Sequence, residues 1–299
     1  MNHLDVIGDA RLDMNGPVVS DYEFARFQRL IHAESGIFLT EAKKSLLAGR
    51  LQVRLRTLGL ATFADYFQHV RSSKDELQEM LDRICTTETR FFRGPEHFAF
   101  LAKRWLPELI SQANRGLRPR TLRIWSAACA TGEEPYSLAM VTTRYLPAAL
   151  GWRVEIVATD LCTQALRQAE LGIWPIERAS QVPAYYRKRF MLRGVRTRAG
   201  AMAAGAQLRA CIRFQRVNLT SAVYPIHGPF DLIFCRNVLI YFERTTRQAV
   251  IRRLFEYLTP DGCLFLGHAE SLHHEQVAAL ELAPNVYTQQ RPASRSRRW

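Results

Sequence analysis

The sequence predicts an α/β protein: a small N-terminal helical domain followed by a doubly wound sheet with helices on its faces. Three observations predict it. Between Ser20 and Ile84 apolar residues recur at helical spacing. From Leu122 onward short apolar runs alternate with helical patterns, the βαβ rhythm of a largely parallel sheet. The stretch L-R-I-W-S-A-A-C-A-T-G-E-E-P-Y-S-L-A-M, Leu122 to Met140, reads as strand, small-residue loop and helix, and the rest of the chain is organised around it.

In order, residues 1–19 carry no periodic pattern and form a lead-in. Ser20 caps a helix with Phe24, Phe27 and Ile31 on one face. After a turn at Gly36, Leu47, Leu51, Leu55 and Leu58 form the apolar row of a second helix, closed by Gly59. Lys43, Arg50 and Arg54 fall within about 20° of one another at the margin of that row, either a solvated flank or a docking stripe. Helices at 62–70 and 74–84 complete the domain. C-T-T-E-T-R-F-F-R, Cys85 to Arg93, is a poor helix interior and reads as a linker, with a helix after it.

At the organising corner Leu122 to Ser126 is a buried strand, and five of the six residues from Ala127 to Gly132 are small, so a ligand can approach the backbone. Pro135 suits the first turn of a helix, with Glu133 and Glu134 at its positive end. The corner has neither G-x-G-x-x-G nor Gly-Lys-Ser/Thr. Two carboxylates would repel a pyrophosphate but suit a nucleoside carrying positive charge, and S-adenosylmethionine meets that requirement. V-E-I-V-A-T-D ends the next strand on Asp160, placed to accept hydrogen bonds from ribose hydroxyls. After a helix, residues 190–198 and 206–219 read as short strands around a Gly/Ala turn. F-D-L-I-F-C-R-N is a core strand whose carboxyl end carries Arg236, Asn237 and then Tyr241. A helix near 246–258, the turn T-P-D-G, the strand C-L-F-L-G-H and a final N-V-Y-T-Q-Q follow.

The composition, 47% hydrophobic and 23% charged over 299 residues, is that of a soluble globular protein. No apolar run approaches the roughly 18–20 residues that span a bilayer, and the first residues do not read as a signal peptide, so a cytoplasmic protein without membrane insertion is expected. The six cysteines include no C-x-x-C pair, and no metal site is expected. The net charge of +13 is uneven: between Arg178 and Phe230 there are ten basic residues and no acidic one, and residues 292–299 form a basic tail. Such a bias implies a polyanionic partner, nucleic acid or an acidic protein surface.

T-T-E-T-R-F-F-R, W-S-A-A-C-A-T-G-E-E-P-Y-S, A-T-D-L and F-D-L-I-F-C-R-N-V-L-I-Y-F, in that order, resemble the bacterial chemotaxis receptor methyltransferases, the CheR family. T-P-D-G-C-L-F-L-G-H-A-E-S and K-K-S-L-L-A-G-R-L-Q-V-R-L-R agree, and the resemblance covers roughly residues 20–290. It implies an N-terminal helical domain over 20–92 and a Rossmann-like class I methyltransferase domain over 93–291. That domain carries an antiparallel last strand and an inserted antiparallel β-subdomain at about 175–216.

The implied activity is methyl transfer from S-adenosylmethionine to glutamate side chains on receptor helices, leaving S-adenosylhomocysteine. The resemblance points to Arg93 and Tyr241 at the reacting carboxylate, and both side chains can donate hydrogen bonds to it. For the cofactor it points to Thr87, Thr89, Arg93, Glu133, Asp160, Asn218, Leu219, Arg236 and Asn237, with Glu134 an alternative to Glu133. Thr87 stands where many members have asparagine. Lys43, Arg50 and Arg54 are the implied docking stripe for acidic receptor helices, and a monomer is expected. A nucleic-acid methyltransferase is disfavoured because the chain has no Pro-Pro and no Pro-Cys, so a nucleic-acid partner is not expected. A non-catalytic receptor adapter has no need of Arg93, Asp160 and Tyr241.

Overall fold

The computed structural model describes residues 17–272 and 277–290; the basic tail and most of the lead-in lie outside them. The helical domain comprises α1 (Asp21–Ser35), α2 (Lys44–Leu58), α3 (Phe63–Ser72) and α4 (Lys74–Ile84). A reciprocal cap starts α1: Ser20 Oγ accepts from Glu23 N–H at 3.3 Å, and Glu23 accepts from Ser20 N–H at 2.9 Å. Left-handed Gly36 ends that helix and left-handed Gly59 ends α2, as expected. Phe27, Ile31, Leu47, Leu51 and Tyr66 fill the core between the helices, and Val19 of the expected lead-in is buried with them.

The linker leads into α5 (Pro95–Phe100) and α6 (Leu106–Asn114), joined by a π-helical turn at Leu101–Trp105. The main sheet follows, interleaved with helices: β1 (Thr121–Ala127), α7 (Glu133–Tyr145), β2 (Arg153–Asp160) and α8 (Thr163–Leu171). The insertion contributes β3 (Ile173–Pro175), α9 (Ala184–Phe190), β4 (Met191–Arg193), β5 (Ala201–Ala204) and α10 (Ala206–Arg209). The chain then returns through β6 (Ile212–Arg216), β7 (Phe230–Cys235), α11 (Arg244–Glu256), β8 (Leu258–Leu266), β9 (Ala279–Ala283) and β10 (Val286–Gln289).

The seven-stranded sheet has the order β6-β2-β1-β7-β8-β10-β9. Strands β6 to β8 pair parallel, and β10 runs antiparallel to both β8 and β9. Alternation along β1 serves two cores: Leu122 and Ile124 pack on one face, Trp125 and Ala127 on the other. From β1 the chain builds outward to β2 and β6, then returns to place β7 on the other side of β1. The crevice between β1 and β7 is therefore the topological switch point, where doubly wound folds bind ligands.

Two strand expectations are corrected. Residues 206–219 do not pair within the insertion: β6 runs parallel to β2 at the edge of the main sheet, Ile156 opposite Ile212. The small sheet is β3-β5-β4, with the presumed Gly/Ala turn supplying β5. Ala201–Ala204 carry too little apolar surface to announce a strand, yet Met202 and Ala204 are buried. Likewise T-P-D-G is not a turn before a strand but a bulge inside β8, where the register jumps between Phe230/Leu258 and Leu232/Cys263. Among the described residues no helix is long and apolar enough to cross a membrane.

The two domains are tied by specific bonds. The Asp82 carboxylate on α4 caps α8 of the other domain, accepting from Thr163 N–H at 2.8 Å, Thr163 Oγ at 2.5 Å and Gln164 N–H at 3.2 Å. After α1, Phe38 N–H donates to Tyr241 C=O at 2.8 Å, and Asn218 Nδ2 donates to Glu34 C=O at 2.7 Å. Gly36 sits at this seam, where a Cβ would collide with Thr220. The helical domain thereby forms one wall of a cleft over the switch point.

Candidate active site

Three kinds of segment build the cleft: the carboxyl ends of β1, β2, β6 and β7, the linker, and the α1–α2 face of the helical domain. Ala128, Ala130 and Asn237 line it with left-handed backbones, φ 61°, 48° and 61°. Phe92 in the linker is left-handed too, φ 52°. Such conformations cost non-glycine residues on the order of 1–3 kcal/mol each and persist where surrounding bonds enforce them. The two alanines follow directly from β1, so the strained backbone turns across the crevice with almost no side chain in the way.

Asp160 ends β2 on the cleft wall. Its Oδ2 accepts from Ala130 N–H and its Oδ1 from Cys162 N–H, each at 2.8 Å. Burial pushes its carboxyl above the ordinary value, against the pull of these backbone donors. Each carboxylate oxygen keeps a further lone pair for a ligand hydroxyl.

The two glutamates at the start of α7 diverge. Glu134 lines the cleft, accepting from Ser126 Oγ at 2.7 Å and from Arg236 Nε at 2.7 Å. Glu133, expected in the cofactor loop, instead faces away. It accepts from Thr131 Oγ at 2.6 Å, while its Oε1 lies 3.2 Å from Arg178 Nη1 of the insertion. Burial raises the Glu133 carboxyl, opposed by Thr131 and by Arg178. Consecutive helical residues are rotated by about 100°, so only one of the pair can face the crevice.

Arg236 is buried and spends its guanidinium on the protein, reaching Glu134, Arg93 C=O at 2.5 Å and His97 Nδ1 at 3.3 Å. Burial followed by the neighbouring Arg236 holds the His97 imidazole below its ordinary value. The Arg93 side chain lies on the cleft wall and donates only to Glu88 C=O, at 3.3 Å, among the described residues. Tyr241 lines the same cleft, and its hydroxyl has no hydrogen-bond partner among the described residues. Thr89, Asn218, Leu219 and Asn237 are brought there too; Thr87 is not, and the neighbouring Thr86 lies on the wall instead.

The basic stripe divides. Lys43 and Arg50 line the mouth of the cleft. Arg50 also donates to Ile84 C=O and, at 3.4 Å, to Thr86 Oγ, fastening the linker's start. Arg54 is committed elsewhere: it donates to both oxygens of buried Glu76, at 2.7 and 2.6 Å, and Tyr66 Oη adds a third bond at 3.0 Å. The basic window is partly spent inside the protein as well, since Arg178 donates to Thr89 C=O at 2.7 Å and Arg187 to Ala179 C=O at 2.9 Å.

Sequence reasoning missed four residues that shape the site. Asp82, Arg178 and His97 act through partners far along the chain. Glu270, in the quoted H-A-E-S, accepts three backbone hydrogen bonds around Asn237 and is singled out by nothing in its local sequence.

The cleft suits a nucleoside cofactor of mixed charge. Asp160 offers acceptors to hydroxyls, the strained alanines allow close approach, and Arg93 offers donors to a carboxylate, while no phosphate loop is present. S-adenosylmethionine carries those groups. Fold and cleft together define an S-adenosylmethionine-dependent methyltransferase. Residues 87–286 match the family model described as CheR methyltransferase, SAM binding domain, and residues 22–85 match CheR methyltransferase, all-alpha domain. Chemotaxis protein methyltransferase 2 of Pseudomonas aeruginosa is 39% identical over 267 residues, covering 89% of this chain and 92% of that one. The chemotaxis protein methyltransferase of Escherichia coli is 38% identical over 258 residues, 86% of each chain. The chain belongs to the CheR methyltransferase family.

Proposed function

We propose that this methyltransferase esterifies glutamate side chains on chemotaxis receptors. The observation that carries the reading is the pairing of Arg93 and Tyr241 on one cleft wall, each with donor capacity not spent on the protein. When bound, S-adenosylmethionine supplies an electrophilic methyl group. Asp160, Thr89, Arg93, Asn218, Leu219 and Asn237 are the residues we assign to holding it, with Thr86 favoured over Thr87 and Glu134 over Glu133. Arg236 acts from behind them, by fixing Glu134 and Arg93.

A glutamate carboxylate has an ordinary pKa of about 4.3, so at neutral pH it is already the nucleophile and needs no general base. Arg93 and Tyr241 orient it by hydrogen bonds, and Phe38, Leu46 and Phe242 give that wall an apolar surface that excludes water. Lys43 and Arg50 at the mouth favour acidic receptor helices. In this reading the enzyme meets them in the cytoplasm as a monomer, without nucleic acid or membrane insertion.

The test is transfer of label from methyl-tritiated S-adenosylmethionine into receptor. Label that is released by mild base, and that Arg93→Ala and Tyr241→Phe abolish without abolishing receptor binding, is expected. Base-stable label, or label in nucleic acid, overturns the proposal.

A further inference from the structure

The loop after β7 carries Asn237 and Tyr241, and one carboxylate outside it fixes its shape. Glu270 is buried, 5% exposed, in the segment after β8. Its Oε2 accepts from Asn237 N–H and Gly267 N–H, each at 2.7 Å, and its Oε1 accepts from Leu239 N–H at 2.8 Å. Asn237 is left-handed, φ 61°, and Leu239 opens the short 3-10 turn that ends at Tyr241. The approach leaves no room for a side chain at Gly267, where a Cβ would stand 2.5 Å from Glu270 Oε2 and 2.9 Å from Asn237 N. One carboxylate thus meets the loop at two points, one oxygen at the strained asparagine and the other at the base of the tyrosine turn.

We propose that Glu270 is a positioning residue for methyl transfer: its carboxylate holds the Asn237–Tyr241 loop in the conformation that presents both side chains to the cleft. This rests on the reading above only in placing Tyr241 at the reacting carboxylate. A glutamine at 270 is isosteric but brings one acceptor oxygen and one donor NH2. With its oxygen toward Asn237 and Gly267, the NH2 faces Leu239 N–H, donor against donor, and the tyrosine turn loses its anchor. An aspartate keeps the charge but is one methylene too short to reach both sides.

The experiment compares wild type with Glu270→Gln and Glu270→Asp by amide hydrogen exchange, by calorimetric titration with S-adenosylhomocysteine and by steady-state methylation of receptor. A lost hydrogen bond to a charged group is worth about tenfold or more. In Glu270→Gln exchange in peptides covering 237–241 is therefore expected to rise at least about tenfold, while Ala130 and Cys162 beside Asp160 stay protected. Turnover is expected to fall by about tenfold or more with receptor KM unchanged, and S-adenosylhomocysteine affinity to fall less than turnover. Glu270→Asp is expected to recover part of the turnover. Wild-type exchange and turnover in both variants overturn the assignment. So does uniformly faster exchange with a lowered melting temperature, which marks a residue of general stability. If receptor is not the substrate at all, the exchange and titration still decide the role of Glu270, and only the preceding reading fails.

Discussion

Arg236 donates through Nε to Glu134 Oε2 at 2.7 Å, with both side chains almost wholly buried. The pair joins the end of β7 to the start of α7 across the switch point, and Arg236 Nη1 extends the join to the carbonyl of Arg93. Removing one member of a buried pair leaves the other charge without compensation, which costs about 3–5 kcal/mol. Arg236→Ala is expected to lose that much in urea unfolding. Arg236→Lys should lose less stability but still displace Arg93, because one ammonium cannot reproduce the guanidinium's geometry. An unfolding midpoint equal to wild type in Arg236→Ala would show that the cleft does not depend on this pair.

Arg54 likewise belongs to a buried pair. Its side chain is 19% exposed and that of Glu76 only 4%, so their bidentate pair works inside the helical domain. Arg54→Ala is expected to destabilise that domain by about 3–5 kcal/mol. Burial alone would raise the Glu76 carboxyl, but the bonds from Arg54 and Tyr66 outweigh it and hold it below the ordinary glutamate value. A depressed carboxylate stabilises the fold above its unfolded value and loses that contribution as pH falls through the folded one. The helical signal should therefore soften in acid from about that value downward in wild type, and less so in Glu76→Gln. Parallel acid melts of the two proteins would refute the coupling.

On the proposed reading, docking of an acidic receptor helix falls chiefly to Lys43, which is exposed at the cleft mouth with no partner among the described residues. Lys43→Glu is expected to raise the apparent receptor KM with kcat and S-adenosylhomocysteine affinity unchanged. Exposed charge contacts are worth roughly 0–1 kcal/mol and are screened by salt, so the defect should narrow as ionic strength rises. Arg50→Glu should behave differently and lower kcat as well, because Arg50 also fastens the linker at Ile84 and Thr86. Equal KM for wild type and Lys43→Glu at low salt would remove the docking role.

What was legible in the sequence follows the range of the interactions. Gly36, Gly59 and the Ser20–Glu23 cap act within a few residues, and their pattern is written locally. The strand ends bearing Asp160 and Arg236–Asn237 were legible because apolar runs end there. Which of two adjacent glutamates faces a crevice is not, since it depends on the rotation of α7 against β1. Neither is the commitment of Arg54, whose partner Glu76 lies 22 residues away on another helix. The positive φ of Ala128 and Ala130 was hidden for a related reason: alanine has no local preference for that conformation, and bonds such as Asp160 to Ala130 N–H impose it.

Asp160 offers the sharpest test of the cofactor site. Burial raises its carboxyl above the ordinary 3.8, with Cys162 and Ala130 N–H opposing. In the ligand-free protein the sign is that of a raised acid: its contribution to stability is present below the unfolded value and is lost as pH rises through the folded one. A ligand that donates hydroxyls to the carboxylate favours the ionised form and pulls the value back down. Affinity for S-adenosylhomocysteine should therefore fall as pH drops through the raised value, and binding in that range should release a proton. Calorimetry in buffers of different ionisation enthalpy reads both effects at once. Asp160→Asn should bind about tenfold more weakly near neutral pH, the cost of roughly one charged hydrogen bond, and should lose the proton release. If the asparagine variant binds as tightly as wild type, or releases the same proton, the titrating group is elsewhere; Glu270 and Glu133, raised by the same cause, are the next to exchange for amides.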